Sequence, residues 1–489
     1  MSVEPLWSVE AMAQAMGATM GATMGAARAG PLPAAVTGIS IDSRSLAGGE
    51  AFFAISGENR DGHDFVTAAL AAGAGLAVVS TAKRADFPAQ AALLVVPDVL
   101  AALYDLARAA RARAGAKFIG VTGSVGKTST KEALRLALSA DGETHASVAS
   151  YNNHWGVPLS LARCPRSARY AVLEIGMNHA GEITALTALA RPHVAIITTI
   201  EPVHLEFFGS LEAIADAKAE IFSGLEPGGA AVLNRDNPQF ERLRAQAQAA
   251  GVRRIVSFGE HAQADARLIK SSLQPDCSTV QARILGADLT YKLGAPGRHM
   301  VHNSLAVLAA AALVGADLAL AALALAQLQP AVGRGSRITL ETRDGNVLLI
   351  DESYNANPAS MRAALALLGQ AEIGPHGRRI AVMGDMLELG ARGAQLHREM
   401  LEPVLAHDID LVFCCGSLMR ALWEALPSER QGGYAETSAL LEPQVLAALR
   451  SGDTLMVKGS LGSRMGPIVK ALERRYSGRE AIVAAPAQG

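Results

Sequence analysis

Aromatic residues make up only 4% of the 489-residue chain, and cysteine occurs four times, at Cys164, Cys277, Cys414 and Cys415. None of them forms a C-x-x-C pair, so neither a disulfide framework nor a zinc site is suggested. Cys414 and Cys415 are adjacent inside an apolar run that reads as a buried strand. An excess of charge is also missing. Lys plus Arg number 44 and Asp plus Glu 46, a formal net charge of −2, so no global field draws in nucleic acid or an anionic membrane. Anionic ligands must be captured locally. No apolar run of about 18 residues demands a bilayer; the Ala-rich stretch 304–327 contains Gly315 and Asp317. The opening MSVEPLWSVEAMAQAM carries two acids and lacks a basic segment ahead of an apolar core, so a secretion signal is not expected. The expectation is a cytoplasmic, monomeric protein with neither nucleic-acid binding nor membrane insertion.

At about 150 residues per domain the length predicts three domains. The tetrapeptide repeat in MGATMGATMGA, 16–26, is too short for a solenoid unit and is assigned no chemistry. From 36 to 112, β-like runs Ala51–Ile55, Leu76–Val79 and Leu93–Val96 alternate with helical stretches and end in a helix over 98–113. A second unit has β runs at 117–122, 170–175, 194–199 and 230–234. Shorter segments Arg254–Phe258, Thr279–Ile284 and Leu289–Leu293 suggest an antiparallel edge or satellite sheet, and an Ala-rich helix follows over 302–327. A third unit begins after Pro330, with strands at 346–351, 379–383, 410–415 and 454–458 and helices at 359–369 and 464–476. It has no G-x-G-x-x-G at its first turn. The boundaries are therefore 1–113, 114–329 and 330–489, each α/β, and the β-α alternation predicts a mostly parallel central sheet. The tail AIVAAPAQG reads as a frayed end.

The most informative stretch is 117–131, KFIGVTGSVGKTSTK, an apolar run entering a glycine-rich turn and then a helix. Glycines let backbone N–H groups converge on phosphate oxygens, and the helix adds its positive end. Gly123, Ser124, Val125 and Gly126 form the turn; Lys127, Thr128 and Ser129 open the helix. Lys127 would reach the β/γ-phosphates and Thr128 would hold Mg²⁺. Val121 stands where the strict G-x-x-x-x-G-K-[ST] pattern has glycine, so this is a variant cradle. Glu174 ends the strand 170–175, beside the crevice where open α/β sheets bind ligands, and could complete a Mg²⁺ shell. Taken alone, it reads as a helix-capping or solvated acid instead. His204 lies past the next strand, in EPVHLEFFGS, where a structural histidine and a metal ligand are both open readings. Lys218, in SLEAIADAKAEIFSGL, reads on periodicity as a solvated helix lysine.

TGSVGKTSTKE, YNNHWGVPLSLAR, LEIGMNHAGEI, the His-Leu of EPVHLE, KAEIFSGL, GRHMVHNSLAVLAAAAL, the Gly-Arg of AVGRGSR and DESYNANPASM, in this order, resemble the Mur ligases of bacterial peptidoglycan synthesis. The resemblance covers nearly the whole chain. DESYNANP and AVMGDMLELG look like the branch that adds D-alanyl-D-alanine to UDP-N-acetylmuramoyl-tripeptide. NRDNPQ, 234–239, lies in the middle unit and is not the D-N-P-R amino-acid motif of the diaminopimelate- or lysine-adding branch. The resemblance implies a small N-terminal domain for the UDP-sugar, a central P-loop ATPase and a C-terminal Rossmann-like domain that closes on nucleotide and dipeptide. It implies Asp42, Ser43 and Arg44 for the UDP-sugar, and ATP with two Mg²⁺ ions. Thr128 and Glu174 would hold one ion; His204 and a CO₂-derived carbamate on Lys218 would hold the other, which inverts the bare reading of that lysine. Asn152 and Asn153 would contact the nucleotide–metal site. His299 and Asn303 match an H-N-x-x-N segment whose first Asn is Met300 here. Arg334 would touch the γ-phosphate and Asp351 the ribose. The implied catalytic set is Lys127, Lys218, His204 and Arg334. Competing readings are a Mur-type ligase adding diaminopimelate or lysine, a folylpolyglutamate synthase and, from another class, a regulatory P-loop ATPase.

Overall fold

A computed structural model of the chain describes residues 5–17, 28–29, 32–57, 59–148, 150–203, 205–342 and 344–476. Most of the MGAT repeat, His204 and the tail fall outside these residues. The protein is α/β, with a sheet in each third of the chain. The first orders Arg28–Ala29, Leu93–Val96, Leu76–Ser80, Ala51–Phe53 and Ile39–Ser40, parallel except for the first pair. The helix predicted after it spans Val99–Arg113.

The central sheet runs Thr144–Ala146, Tyr170–Glu174, Lys117–Thr122, Val194–Ile197, Ala230–Asn234, Arg254–Gly259 and Ala266–Leu273, all parallel. Ser278–Ile284 and Ala287–Leu293 then add an antiparallel edge. Arg254–Gly259, expected in that edge, is instead parallel to Ala230–Asn234. Strands buried on both faces read as unbroken apolar runs, and their two-residue period sorts them into two cores. Ile119, Val121, Val194, Ile196 and Val232 pack under the helices Lys127–Ser139 and Arg298–Leu313. Phe118, Ala195, Ile197, Ala231 and Leu233 pack on the opposite side with Ile183, Ile214 and Phe240.

The single helix expected over 302–327 is two. The first stops at Leu313, Gly315 takes φ +78°, and Asp317 caps Leu318–Ala324 by accepting from Ala319 N and Leu320 N. A side-chain acceptor on two orphan N–H groups restarts a helix that the alanines alone would have continued.

The third sheet orders Ser336–Thr342, Gly345–Glu352, Thr454–Lys458, Arg379–Gly384, Leu411–Cys415 and Gln431–Ala435, parallel but for the opening hairpin. Met383, Cys414 and Met456 face one core, while Val382, Cys415 and Val457 face the other. The adjacent cysteines thus point to opposite sides of one strand, and both are free thiols.

The first and central units share packed surface. Trp7 is 3% exposed, donates from Nε1 to Ala162 O at 2.9 Å, and lies 3.2 Å beneath the Arg113 guanidinium. Leu159 and Ala162 of the central unit join the core of the first.

His397 braces the loop after Arg379–Gly384. Its ring is fully buried; Nδ1 lies 2.7 Å from Gly393 O, and Nε2 accepts from Met386 N at 2.9 Å. Nε2 can accept only in the neutral imidazole, and burial, opposed by the Nδ1 bond to Gly393 O, pushes its pKa below the ordinary 6.5. The unfolded chain takes up this proton near pH 6.5 and the fold only at lower pH, so stability is full above that pH and declines as it falls. His397→Gln should flatten the decline by up to about 1.4 kcal/mol per pH unit. Urea unfolding between pH 7.5 and 5 checks this; an unchanged slope would show that His397 is not the group taking up the proton.

Candidate active site

The parallel register brings several chain ends to one edge. Glu174 lies opposite Val121, and Ile197 opposite Thr122. The glycine turn leaves that edge at Gly123, φ +144°, and enters the helix through Gly126, φ +83°, a left-handed position suited to glycine. A Cβ on Gly123 would run into the Thr198 hydroxyl, and one on Gly126 would come 2.9 Å from Asn303 Nδ2. Both positions are closed to side chains by neighbours as well as by dihedral.

The segment after Val194–Ile197 holds this turn. Thr198 Oγ1 donates to Val125 O at 2.5 Å, Ser124 N donates to Thr199 O at 2.9 Å, and Ser124 Oγ exchanges hydrogen bonds with the Glu201 backbone at 3.0 and 2.9 Å. Asn237, from NRDNPQ, steadies the same segment by donating to Thr199 Oγ1 and Ile200 O, each at 2.9 Å.

Thr128 and Glu174 meet as the sequence suggested. Thr128 Oγ1 donates to Glu174 Oε2 at 2.9 Å, and Asn152 Nδ2 donates to Glu174 Oε1 at 2.7 Å. The carboxylate is 1% exposed. Thr128 also lies 3.3 Å from Ser150 Oγ, which accepts from Arg334 Nη2 at 3.1 Å. Five side chains therefore run from Asn152 to the third unit. Lys127 donates to Gly123 O at 2.7 Å and Ser124 O at 3.3 Å. Burial lowers its pKa, Glu174 opposes the shift, and Arg334 adds to it.

Lys218 is not the solvated helix lysine of bare periodicity. It is 2% exposed, on Leu211–Ala219. Burial, with Lys127 adding repulsion, pushes its pKa well below the usual lysine value. Among the described residues no three His, Cys, Asp or Glu side chains converge on a metal site. The donors in place are the hydroxyls of Thr128 and Ser150 and the Glu174 carboxylate, hard oxygen ligands of the kind Mg²⁺ takes.

Other expected residues have local duties. Asn153 Oδ1 accepts from Gly156 N at 3.0 Å, holding the start of Gly156–Ala162. Asp351, 4% exposed, accepts from Gly333 N at 3.1 Å and from Ser353 N and Oγ at 3.0 and 2.6 Å. It thereby fixes the turn that delivers Arg334, whose guanidinium also stacks 4.4 Å from the Tyr354 ring. His299 is exposed and, with Ser129, Arg334 and Glu352, lines a cavity between the central and third units. Met300 is 7% exposed and packs into the core under the Arg298–Leu313 helix, so an apolar contact occupies the position of the missing Asn.

Asp42, Ser43 and Arg44 follow Ile39–Ser40. Asp42 accepts from Arg44 N at 3.0 Å, Nε at 2.9 Å and Nη2 at 2.7 Å. These bonds hold its pKa down to about 2. Arg44 is exposed, with Tyr151 of the central unit within its electrostatic reach. Sequence reasoning missed Ser150, Thr198 and Tyr354. Only Tyr354, inside DESYNANP, carried a signal.

Three family models match in chain order: Mur ligase family, catalytic domain, over 35–111; Mur ligase middle domain over 121–311; and Mur ligase, glutamate ligase domain, over 336–461. The UDP-N-acetylmuramoyl-tripeptide–D-alanyl-D-alanine ligase of Escherichia coli (strain K12) is 36% identical over 436 residues, 89% of this chain and 93% of that protein. Its Bacillus subtilis (strain 168) namesake is 34% identical over 442 residues, with 89% and 93% covered. The fold is similar to the crystal structure of MurF from Acinetobacter baumannii, with TM-score 0.79, 31% identity and coverage of 97% of this chain and 100% of that one. It is also similar to Thermotoga maritima MurF in complex with ADP, with TM-score 0.72, 26% identity and coverage of 90% and 98%. With three Mur ligase domain models matched in chain order and relatives at 34–36% identity over 89% of its length, the chain belongs to the Mur ligase family.

Proposed function

We propose that this chain is the ATP-dependent ligase that joins D-alanyl-D-alanine to the tripeptide carboxylate of UDP-N-acetylmuramoyl-tripeptide, through an acyl phosphate, in peptidoglycan precursor synthesis. The observation that carries the reading is the Asn152–Glu174–Thr128–Ser150–Arg334 chain of contacts, which couples a phosphate cradle to a third domain that a simple switch does not need. The reading assigns 1–113 to the UDP-sugar, with Asp42, Ser43 and Arg44 contacting it, 114–329 to ATP and 330–489 to closure over the dipeptide. It includes action as a monomer in the cytoplasm, where ATP is the driving reagent.

A carboxylate oxygen is a poor leaving group at neutral pH, and transfer of the γ-phosphoryl group converts it into a good one. Backbone N–H groups of Gly123 to Lys127 cradle the phosphates, while the Lys127 ammonium and the Arg334 guanidinium meet charge spreading over the transferred group. Thr128 and Glu174 would hold one Mg²⁺, and His204 with carbamylated Lys218 a second; bound there, the ions neutralise phosphate charge. Asn152 fixes the Glu174 carboxylate. Asn153 and His299 border the nucleotide, Asn303 backs Gly126, and Asp351 holds the Gly333 turn and approaches the ribose. The dipeptide amine then attacks the acyl carbon, and phosphate leaves. Docking of the third domain keeps water from the mixed anhydride.

Phosphate release from ATP with UDP-N-acetylmuramoyl-tripeptide should be stimulated by D-alanyl-D-alanine and not by lysine or diaminopimelate. The opposite pattern removes this reading, and hydrolysis indifferent to sugar and amine would favour a regulatory ATPase. Asn152→Ala, which frees one oxygen of the Glu174 carboxylate, should raise the Mg²⁺ concentration needed for half-maximal rate by about 10- to 100-fold. An unchanged Mg²⁺ titration counts against Glu174 as a ligand. Wild-type protein in ¹³C-bicarbonate should show a carbamate carbon resonance that Lys218→Ala lacks. Full activity of that variant with and without bicarbonate would exclude the carbamate role.

A further inference from the structure

Lys131 is a charged side chain that the reaction above does not use, and it is 0% exposed. It lies three residues beyond Thr128 on Lys127–Ser139, and residues three apart on a helix share a face. Its ammonium donates to Ser147 O at 2.7 Å and pairs with Glu132 Oε1 at 3.0 Å. A cation shut away from water is costly unless such partners meet it. Even then a buried pair is often no better for stability than an apolar side chain of similar size, so this lysine points to a task other than packing.

Ser147 is a junction at the Glu174 edge. It follows the strand Thr144–Ala146, which pairs with Tyr170–Glu174, and it is 2% exposed. Its N–H donates to Val172 O at 3.0 Å, its Oγ accepts from Glu174 N at 3.3 Å, and its carbonyl is the group that Lys131 takes. Three residues on, Ser150 Oγ lies 3.3 Å from Thr128 Oγ1 and accepts from Arg334 Nη2 at 3.1 Å. Asn152 then donates to Glu174 Oε1 at 2.7 Å, and its own carbonyl accepts from Gly176 N at 2.8 Å. The Tyr151 backbone would lie 2.6 Å from a Cβ on Gly156, so this end is closely packed. The other end is held to the Thr128 helix by Lys131.

We propose that Lys131 is a positioning residue for the Mg²⁺ site: by holding Ser147 to the helix that carries Thr128, it sets the spacing of the Thr128 hydroxyl, the Ser150 hydroxyl and the Asn152-braced Glu174 carboxylate. This role rests on the ligase reading above for what the ion does. Lys131 acts through the Ser147 backbone, on groups that would hold the metal. The oxygen ligands of Mg²⁺ must meet a narrow octahedral geometry. Two of the donors follow the Ser147 junction and one precedes it on the helix, so a tether between the two pieces governs all three.

Lys131→Met keeps an unbranched chain in the buried space and removes the charge and the donor. Urea unfolding should change little, because an apolar side chain replaces a buried ion. The loss should be local: peptides reporting the Tyr151 and Gly176 amides should exchange with deuterium faster, and the rest of the chain at the wild-type rate. The Mn²⁺ concentration that half-saturates the protein with ADP, read from the free-ion spin-resonance signal, should rise about tenfold to a hundredfold. Lys131→Gln, which retains an N–H donor for Ser147 O, should recover part of both effects, and it carries the test if the Met variant does not fold. Wild-type Mn²⁺ affinity in a folded variant overturns the proposal, whether or not stability has fallen, since a packing role alone moves only stability. Neither readout needs turnover. Wild type that binds Mn²⁺ with ADP but is not stimulated by D-alanyl-D-alanine removes the ligase reading and leaves the Lys131 comparison decisive for the metal site.

Discussion

The Thr128 hydroxyl on the Glu174 carboxylate, at 2.9 Å, is the contact on which the rest of the site depends. It exists because two neighbouring parallel strands end at nearly the same level, Glu174 opposite Val121, while a glycine turn bends the first of them into a helix beginning at Lys127. An acid 1% exposed is tolerable only where donors meet it. Thr128 and Asn152 do so here, one from each side. A one-residue slip between those strands would turn Glu174 to the opposite face of the sheet and leave Thr128 without its partner.

The same edge gathers cations that no simple fold would place together. Burial lowers the Lys127 pKa and the nearby Arg334 guanidinium adds to the shift, with the Glu174 carboxylate opposing it. Such a concentration of positive charge in a buried place is unfavourable in the protein alone and becomes favourable against polyphosphate. This is preorganisation for a transferring phosphoryl group. On Lys218, burial and the Lys127 ammonium act in the same direction and lower its pKa.

Much of this was legible in the chain. The cradle from Gly123 to Ser129, the carboxylate at Glu174 and the strand ends that carry them follow from composition and period, because strands buried on both faces have an unmistakable apolar run. Less buried strands do not. Thr144–Ala146, Ala266–Leu273 and Gln431–Ala435 are polar, half-exposed or glycine-rich, and their pairing is set by the backbone of a neighbour rather than by their own pattern. The division of the helix at Gly315 was visible as a glycine and an acid, but an alanine-rich sequence with helical propensity on both sides hid its consequence. Ser150 and Thr198 were beyond reach for another reason. Hydroxyl residues are common in loops, and only three-dimensional closure shows that Ser150 bridges Thr128 to Arg334 and that Thr198 locks the glycine turn.

Asp351 fixes the entry to the third domain. Its carboxylate accepts from Gly333 N and Ser353 N across the entry to the third domain. Arg334 follows Gly333 directly, and Tyr354 follows Ser353 and stacks on the guanidinium. The residue nearest the hinge therefore sets the direction of the cation that crosses to Ser150. A rotation of the third domain about this turn would carry Arg334 with it as a rigid arm. On the proposed ligase reading, domain closure and delivery of positive charge to the glycine turn would then be one motion, with the guanidinium arriving as the cleft shuts to water.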